Sequence, residues 1–205
     1  MQTVLDKKPR KILNEYDDWD LVRSFCNGDN ECYTELVRRH YELVVNMSYR
    51  FFLDMQIARD NAQEVFLKVF HEIGNIKPGK QPFVHWLCRV TSNNCRSIYR
   101  KRNSEIRSIE RGKVDFWHEE KCNNWLESNL DNETDESIRL VNEALKKICK
   151  DDRMILILTY IAELKTREIA KIEGIPEYTV RRKIKRAEKK LHKLVTQIAL
   201  EKCRE

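Results

Sequence analysis

TREIAKIEGIPEYTVRRKIKRAEKKL, residues 166–191, is the stretch that decides the fold of this chain. Ile169 and Ala170 share one face of a first helix, and Thr166 is placed to cap its start by accepting a backbone N–H that has no partner inside the helix. Small Ala170 lets a second helix approach closely. Gly174 supplies the turn, and Pro176 suits the first position of the next helix because it has no N–H to leave unpaired. At about 100° per residue, Val180, Ile184, Ala187, Leu191 and Leu194 then fall on one side of that helix. Arg182, Lys185, Arg186, Lys189 and Lys193 fall on the other. Helix, glycine turn and basic second helix make a helix-turn-helix. Its leading end carries Glu177, Tyr178, Thr179, Arg181 and Arg182, residue types that reach base edges and phosphates in a major groove. Thr166, Arg167, Lys185, Arg186 and Lys189 complete this candidate DNA-binding set. An ordinary helical hairpin with a solvated basic face is the competing reading.

Upstream, helical periodicity continues through Ile138, Val141, Leu145 and Ile148, and a further element spans residues 153–163. Before these lies a separate amphipathic region. Leu21, Phe25, Leu36 and Val37 flank a Gly28-Asp29 turn, which reads as helix, turn and second helix. Ala62, Val65, Phe66, Val69, Phe70 and Ile73 then form a continuous apolar stripe on one helix. The outward face of that helix holds Asp60, Glu64, Leu67, Lys68 and His71, with Gln63 at its edge; a leucine ringed by charges reads either as part of a protein-docking surface or as an ordinary single exposed leucine. A loop with Pro78, Gly79 and Pro82 precedes a helix over residues 83–102, with Phe83, Trp86, Leu87, Val90 and Ile98 inward. Its expected outward face carries His85, Arg89, Ser92, Arg96, Tyr99 and Arg100, followed by Lys101 and Arg102. Those basic groups would neutralise phosphates, and Tyr99 and Trp86 could stack on an unpaired base; a core role for Trp86 stays equally open. Asn94 falls on the apolar side and needs a hydrogen-bond partner if buried.

Charge is arranged in blocks. Residues 89–113 carry a net +6, residues 115–136 a net −7, and residues 181–193 a net +7. Two basic blocks separated by an acidic one describe two anion-binding surfaces joined by a segment that does not bind the anion. The expected architecture is therefore all-α: a flexible N-terminus (1–17), a helical domain (18–103), an acidic flexible linker (104–136) and a helix-turn-helix domain (137–200). A linker of that length spans on the order of 100 Å extended and roughly 30 Å as a relaxed coil. Five glycines and four prolines in 205 residues are too few for hairpin-rich sheets, while a 41% hydrophobic content suffices for a core.

Seven cysteines, odd in number and without a CxxC pair, read as reduced packing thiols rather than zinc ligands or disulfides. No phosphate loop, HExxH or nucleophile elbow is present, so no catalytic, metal or cofactor site is expected. Residues 1–10 lack the apolar core of a secretory signal and nothing approaches a membrane span, so the expected location is cytoplasmic, without membrane insertion.

Together the two halves resemble the extracytoplasmic-function (ECF) group of bacterial sigma factors of the sigma-70 family. ARDNAQEVFLKVF (58–70) looks like that family's core helix, and FVHWLCRVTSNNCRSIYRKR (83–102) is similar to its promoter-melting helix. Residues 151–191 resemble its C-terminal helix-turn-helix domain. The resemblance implies a non-catalytic initiation subunit that binds core RNA polymerase through the clamp helices of the largest subunit and the flap region. Asp60, Gln63, Glu64, Leu67 and Lys68 would form the docking face. Trp86, Arg89, Asn93, Arg96, Tyr99, Arg100, Lys101 and Arg102 would recognise and open the proximal (−10) promoter element, and the helix-turn-helix would read the distal (−35) element. An anti-sigma factor is the usual restraint in that group. Pro176 stands where the family usually has Ser or Thr, Ser97 where Asp is common, and Cys149-Lys150 in place of a frequent proline. The alternative function is a stand-alone dimeric helix-turn-helix regulator, which would require a palindromic site. An RNA-associated enzyme or accessory protein is a third, unsupported by any catalytic cluster.

Overall fold

The computed structural model describes residues 15–76, 81–111 and 136–202, the last seven of the middle segment by backbone alone. Residues 77–80 of the expected loop, with Pro78 and Gly79, and residues 112–135 of the expected linker lie outside the described set, as do residues 1–14. Among the described residues the regular structure is entirely helical: α1 (Asp18–Cys26), α2 (Asn30–Phe52), α3 (Met55–Glu72), α4 (Phe83–Arg111), α5 (Glu136–Lys146), α6 (Lys150–Tyr160), α7 (Thr166–Glu173) and α8 (Glu177–Lys202). None of these helices is long and apolar enough to cross a membrane.

Aspartates start the first three helices. Asp17, Asp29 and Asp54 each accept a backbone N–H of the following turn, at 2.6, 3.1 and 2.9 Å, satisfying donors that the helix itself leaves unpaired. Leu21, Leu36, Val44, Val65, Val69, Phe83 and Leu87 fill the core that α1–α4 enclose. Trp19 meets Phe83 edge-on at 5.7 Å. Phe70, expected to point inward with this stripe, is 46% exposed and rests at the rim against Phe25 and Tyr33. Helix α4 is longer than the periodicity indicates, running nine residues past Arg102 to Arg111. Apolar positions thin out there, so helix formation leaves no hydrophobic stripe to read.

The two helical units share apolar packing. Met47, Phe51, Cys88 and Cys95 of α2 and α4 lie in one buried cluster with Met154, Ile155 and Leu158 of α6 and Val180 and Ile184 of α8. Leu53 ends α2 in the left-handed region, at φ +59°, and is buried in a second cluster with Leu145, Ile148, Leu156 and Ala187. Between them sits Arg153, wholly buried. Its Nη1 donates to the Phe51 carbonyl at 2.7 Å and its Nη2 to the Leu145 carbonyl. Lys150 Nζ donates to the same Phe51 carbonyl at 3.0 Å, and Arg50 Nη1 reaches Asn142 Oδ1 at 2.6 Å.

On α2 the buried Glu35 accepts from Arg38 at 2.7 and 2.8 Å and from Arg39 at 2.8 Å. These bonds outweigh the effect of burial and hold its pKa down to about 2, against an ordinary 4.5. A depressed carboxylate contributes stability that is complete above its unfolded pKa and is lost as pH falls through the folded one. Glu35→Gln should therefore be less stable than wild type at neutral pH, with the gap narrowing between pH 4.5 and 2. Urea unfolding midpoints measured across that range check it; a constant gap would show that the carboxylate charge contributes nothing.

Candidate nucleic-acid interface

The helix-turn-helix is built as the sequence indicates, with two local differences. Gly174 turns the chain at φ +66°, and its N–H closes on the Ala170 carbonyl. Val180, Ile184 and Ala187 are buried, whereas Arg182, Lys185, Arg186 and Lys189 are exposed along the opposite face of α8. Tyr178 stands 70% exposed at its leading end. Thr166 is not the cap of α7: Lys165 occupies that position, its N–H donating to Glu168 Oε2 at 2.8 Å. The Thr166 hydroxyl instead donates to Glu177 Oε1 at 3.0 Å, tying the start of α7 to the start of α8. Arg181 Nη2 donates to the same oxygen at 2.6 Å, and these two bonds hold the Glu177 carboxyl below its ordinary range. Pro176 precedes the helix rather than opening it. Its carbonyl accepts from Thr179 and Val180 at 2.9 and 3.2 Å, so α8 starts without a side-chain cap of the Ser/Thr kind. Arg186 reaches back to the buried Asp152 at 2.5 Å, which leaves Arg182, Lys185 and Lys189 as the freer cations of that face.

On α4 the predicted residues are arranged differently from expectation. Arg100 and Lys101 are exposed, as is Asn93, and Arg102 is half-buried. Trp86 is half-buried with its ring 5.7 Å from Phe83, a packing position. His85 and Ser92, expected outward, are buried. The reason is that α7 lies against this face: His85 Nε2 is 3.6 Å from Glu168 Oε1, and Arg89 donates to the Lys171 carbonyl. Arg96 Nη2 donates to Glu173 Oε2 at 2.6 Å and its Nη1 to Ser92 Oγ at 2.8 Å.

The α3 face carries Asp60, Gln63, Glu64 and Lys68 exposed around Leu67, which is 61% exposed. Asn94, buried as anticipated, donates to Asn61 Oδ1 at 2.9 Å and to Glu64 Oε2 at 3.0 Å, and accepts from Lys68 Nζ. Asn61 in turn donates to Ser48 Oγ at 2.7 Å. Two groups of the docking candidate are thus bonded directly to the helix proposed to meet DNA. Nothing in the sequence marks Lys150, Arg153, Glu168 and Glu173, because a charged residue in the first or last turn of a helix looks alike whether solvent or another helix receives it. Among the described residues no group of three metal-ligating side chains comes together.

A helical protein with a basic recognition helix and a second basic helix on a separate unit is a nucleic-acid-binding protein of two-part design. Residues 36–105 match the family model for sigma-70 region 2, and residues 138–191 match that for sigma-70 region 4. The RNA polymerase sigma-H factor of Pseudomonas aeruginosa is 27% identical over 185 residues, covering 89% of this chain and 95% of that one. In fold, the chain is similar to CnrH solved with the cytosolic domain of CnrY, at TM-score 0.62 and 21% identity over 88% of this chain and 97% of that one. It is similar also to the sigma factor RpoE of Bartonella quintana solved with the anti-sigma factor NepR, at TM-score 0.64 and 17% identity over 80% and 96%. The chain belongs to the extracytoplasmic-function group of the sigma-70 family. It is a transcription initiation factor that directs RNA polymerase to promoters.

A Cβ added at Gly174 would meet no atom within 4 Å, so only the left-handed backbone opposes substitution. Gly174→Ala should cost about 1–2 kcal/mol, measured by urea unfolding. A neutral result would mean that the turn relaxes to a right-handed form.

Proposed function

We propose that this chain divides promoter recognition between its two basic helices while α3 docks on core RNA polymerase. The observation that carries the reading is the presence, on one chain and in order, of an acidic face with an exposed leucine on α3, a basic α4 and a basic helix-turn-helix. Asp60, Gln63, Glu64, Leu67 and Lys68 contact the clamp helices of the largest polymerase subunit, and the C-terminal unit meets the flap region. Arg89, Asn93, Arg96, Tyr99, Arg100, Lys101 and Arg102 engage the proximal element as its strands part, their charges on phosphates and the aromatic ring on an unstacked base. Tyr178, Thr179, Arg181 and Arg182 enter the major groove of the distal element, with Arg167, Lys185 and Lys189 on its phosphates. The chain supplies recognition and no bond chemistry, and it works in the cytoplasm beside the polymerase. An anti-sigma partner is consistent with the complex in which RpoE was solved. A stand-alone dimeric regulator is not favoured, because two unlike DNA-facing units on one chain do not require a palindrome.

Run-off transcription with core bacterial RNA polymerase on genomic promoter fragments tests the reading. Initiation that depends on the added chain is expected; absence of stimulation together with absence of co-elution with core enzyme would overturn it. Arg182→Ala should weaken binding to the distal duplex by roughly 1–3 kcal/mol, with specificity relaxed at one position. An unchanged affinity in a gel-shift titration would place the wrong face of α8 in the groove. Glu64→Lys should impair polymerase binding in a pull-down yet leave duplex binding intact, and equal polymerase affinity would refute the α3 surface.

A further inference from the structure

Glu177 stands in the first turn of α8 with a carboxylate that serves two donors at one oxygen. Oε1 accepts from the Thr166 hydroxyl at 3.0 Å and from Arg181 Nη2 at 2.6 Å. Arg181 first and Thr166 second hold the carboxyl below its ordinary range, so it is ionised at neutral pH. An exposed glutamate–arginine pair four residues apart ordinarily holds little. This pair differs because a bond from the neighbouring helix fixes the carboxylate independently of the arginine. Arg181, with 69% of its side chain exposed, is thereby unlike Arg182, Lys185 and Lys189. Those three stand exposed with no carboxylate partner among the described residues.

Such a pairing decides what a guanidinium can recognise. Against a phosphate its value lies in net positive charge, which an adjacent carboxylate offsets while itself repelling the phosphate. A base edge is neutral, so the carboxylate does not repel it, and a guanidinium already oriented loses less freedom on binding. Arginine carries five N–H donors. With one Nη2 hydrogen given to Glu177, a complete two-donor edge stays open, the match for guanine O6 and N7. The position agrees, because the N-terminal residues of a recognition helix are those that meet base edges.

We propose that Glu177 is a positioning residue which, with Thr166, holds Arg181 for bidentate contact with one guanine of the distal element and keeps it off the phosphates. The inference rests on the assignment of α8 to the distal element made above. It gives Glu177 a part in recognition without a base contact of its own, and it places a G·C pair in that element opposite Arg181.

The test uses holoenzyme formed from core bacterial RNA polymerase and the full chain, on a promoter mapped by run-off transcription. Each base pair of the distal element is changed in turn to the other three, and affinity is measured by filter binding at low and high salt. With the wild-type chain, one position should prefer guanine by about tenfold. Glu177→Gln should remove that preference, leave the other positions as they were, and steepen the loss of affinity with salt, because the released guanidinium turns to phosphate. Thr166→Val should do the same in part. Arg181→Lys keeps the charge and loses the fork, so it should abolish the same preference; Glu177→Gln combined with it should change base preference no further. A guanine preference that survives Glu177→Gln would overturn the proposal by making the pair incidental. A preference lost in Glu177→Gln but kept in Arg181→Lys would overturn it by making Glu177 itself the base reader. An equal loss at every distal position would overturn it by reducing Glu177 to a structural part. Absence of any distal preference in the wild-type holoenzyme would overturn it together with the assignment of α8, and absence of initiation at the run-off step would mark failure of the sigma reading itself.

Discussion

A guanidinium without access to water holds the two halves of this protein together. Arg153 reaches the carbonyls of Phe51 and Leu145, which lie in the last turns of α2 and α5 and lack partners within their own helices. Both helix ends carry partial negative charge, which offsets part of the cost of taking a cation out of solvent. Burial pushes the Arg153 pKa down to about 10, still far enough above neutrality to keep it charged. No carboxylate shares the site among its hydrogen-bond partners. Removing the side chain would leave two buried carbonyls with fewer donors, a larger loss than the pair of bonds alone suggests. Lys150 on the Phe51 carbonyl repeats the theme from the surface side.

Helix α4 takes its importance from standing between two polar contacts. On one side the amide of Asn94 gathers Asn61, Glu64 and Lys68 of α3. On the other, Arg96 and Ser92 meet Glu173 of α7. Both sets lie within a single turn of the helix, so the surface proposed for polymerase and the unit that carries the recognition helix are each one side chain away from α4. Such a position suits coupling, because a rigid helix transmits a shift at one face to the other without requiring a chain of soft contacts.

Much of this was legible in the sequence. The Val65–Phe66–Val69–Ile73 stripe and the Val180–Ile184–Ala187 stripe each face a core, and periodicity alone exposes that kind of pattern. Asn94 declared its need for partners by falling on an apolar face. What periodicity does not carry is the identity of the opposing surface. His85 and Ser92 lie on the polar side of α4 and were expected in solvent, yet a second unit covers them. Arg153 and Asp152 stand at the start of an apolar run, where they resemble an ordinary solvated helix start, and both are buried. Periodicity does not reveal the run to Arg111, because polar sequence forms helix by propensity, with no hydrophobic signature. Capping preference assigns the Thr166 hydroxyl to the backbone, whereas Glu177 offers a charged acceptor across the turn.

Leu53 adopts a backbone conformation that a glycine would adopt at lower cost, at φ +59°. For α1–α4 alone, the branched side chain is a disadvantage. Its compensation lies among Leu145, Ile148, Leu156 and Ala187, all contributed by the other half. Position 53 is thus covalently part of one unit while its residue choice answers to the second. Recombination that exchanged the C-terminal half for an unrelated one would inherit a misfit residue at this corner, so the two halves are not freely interchangeable modules despite folding around largely separate helices.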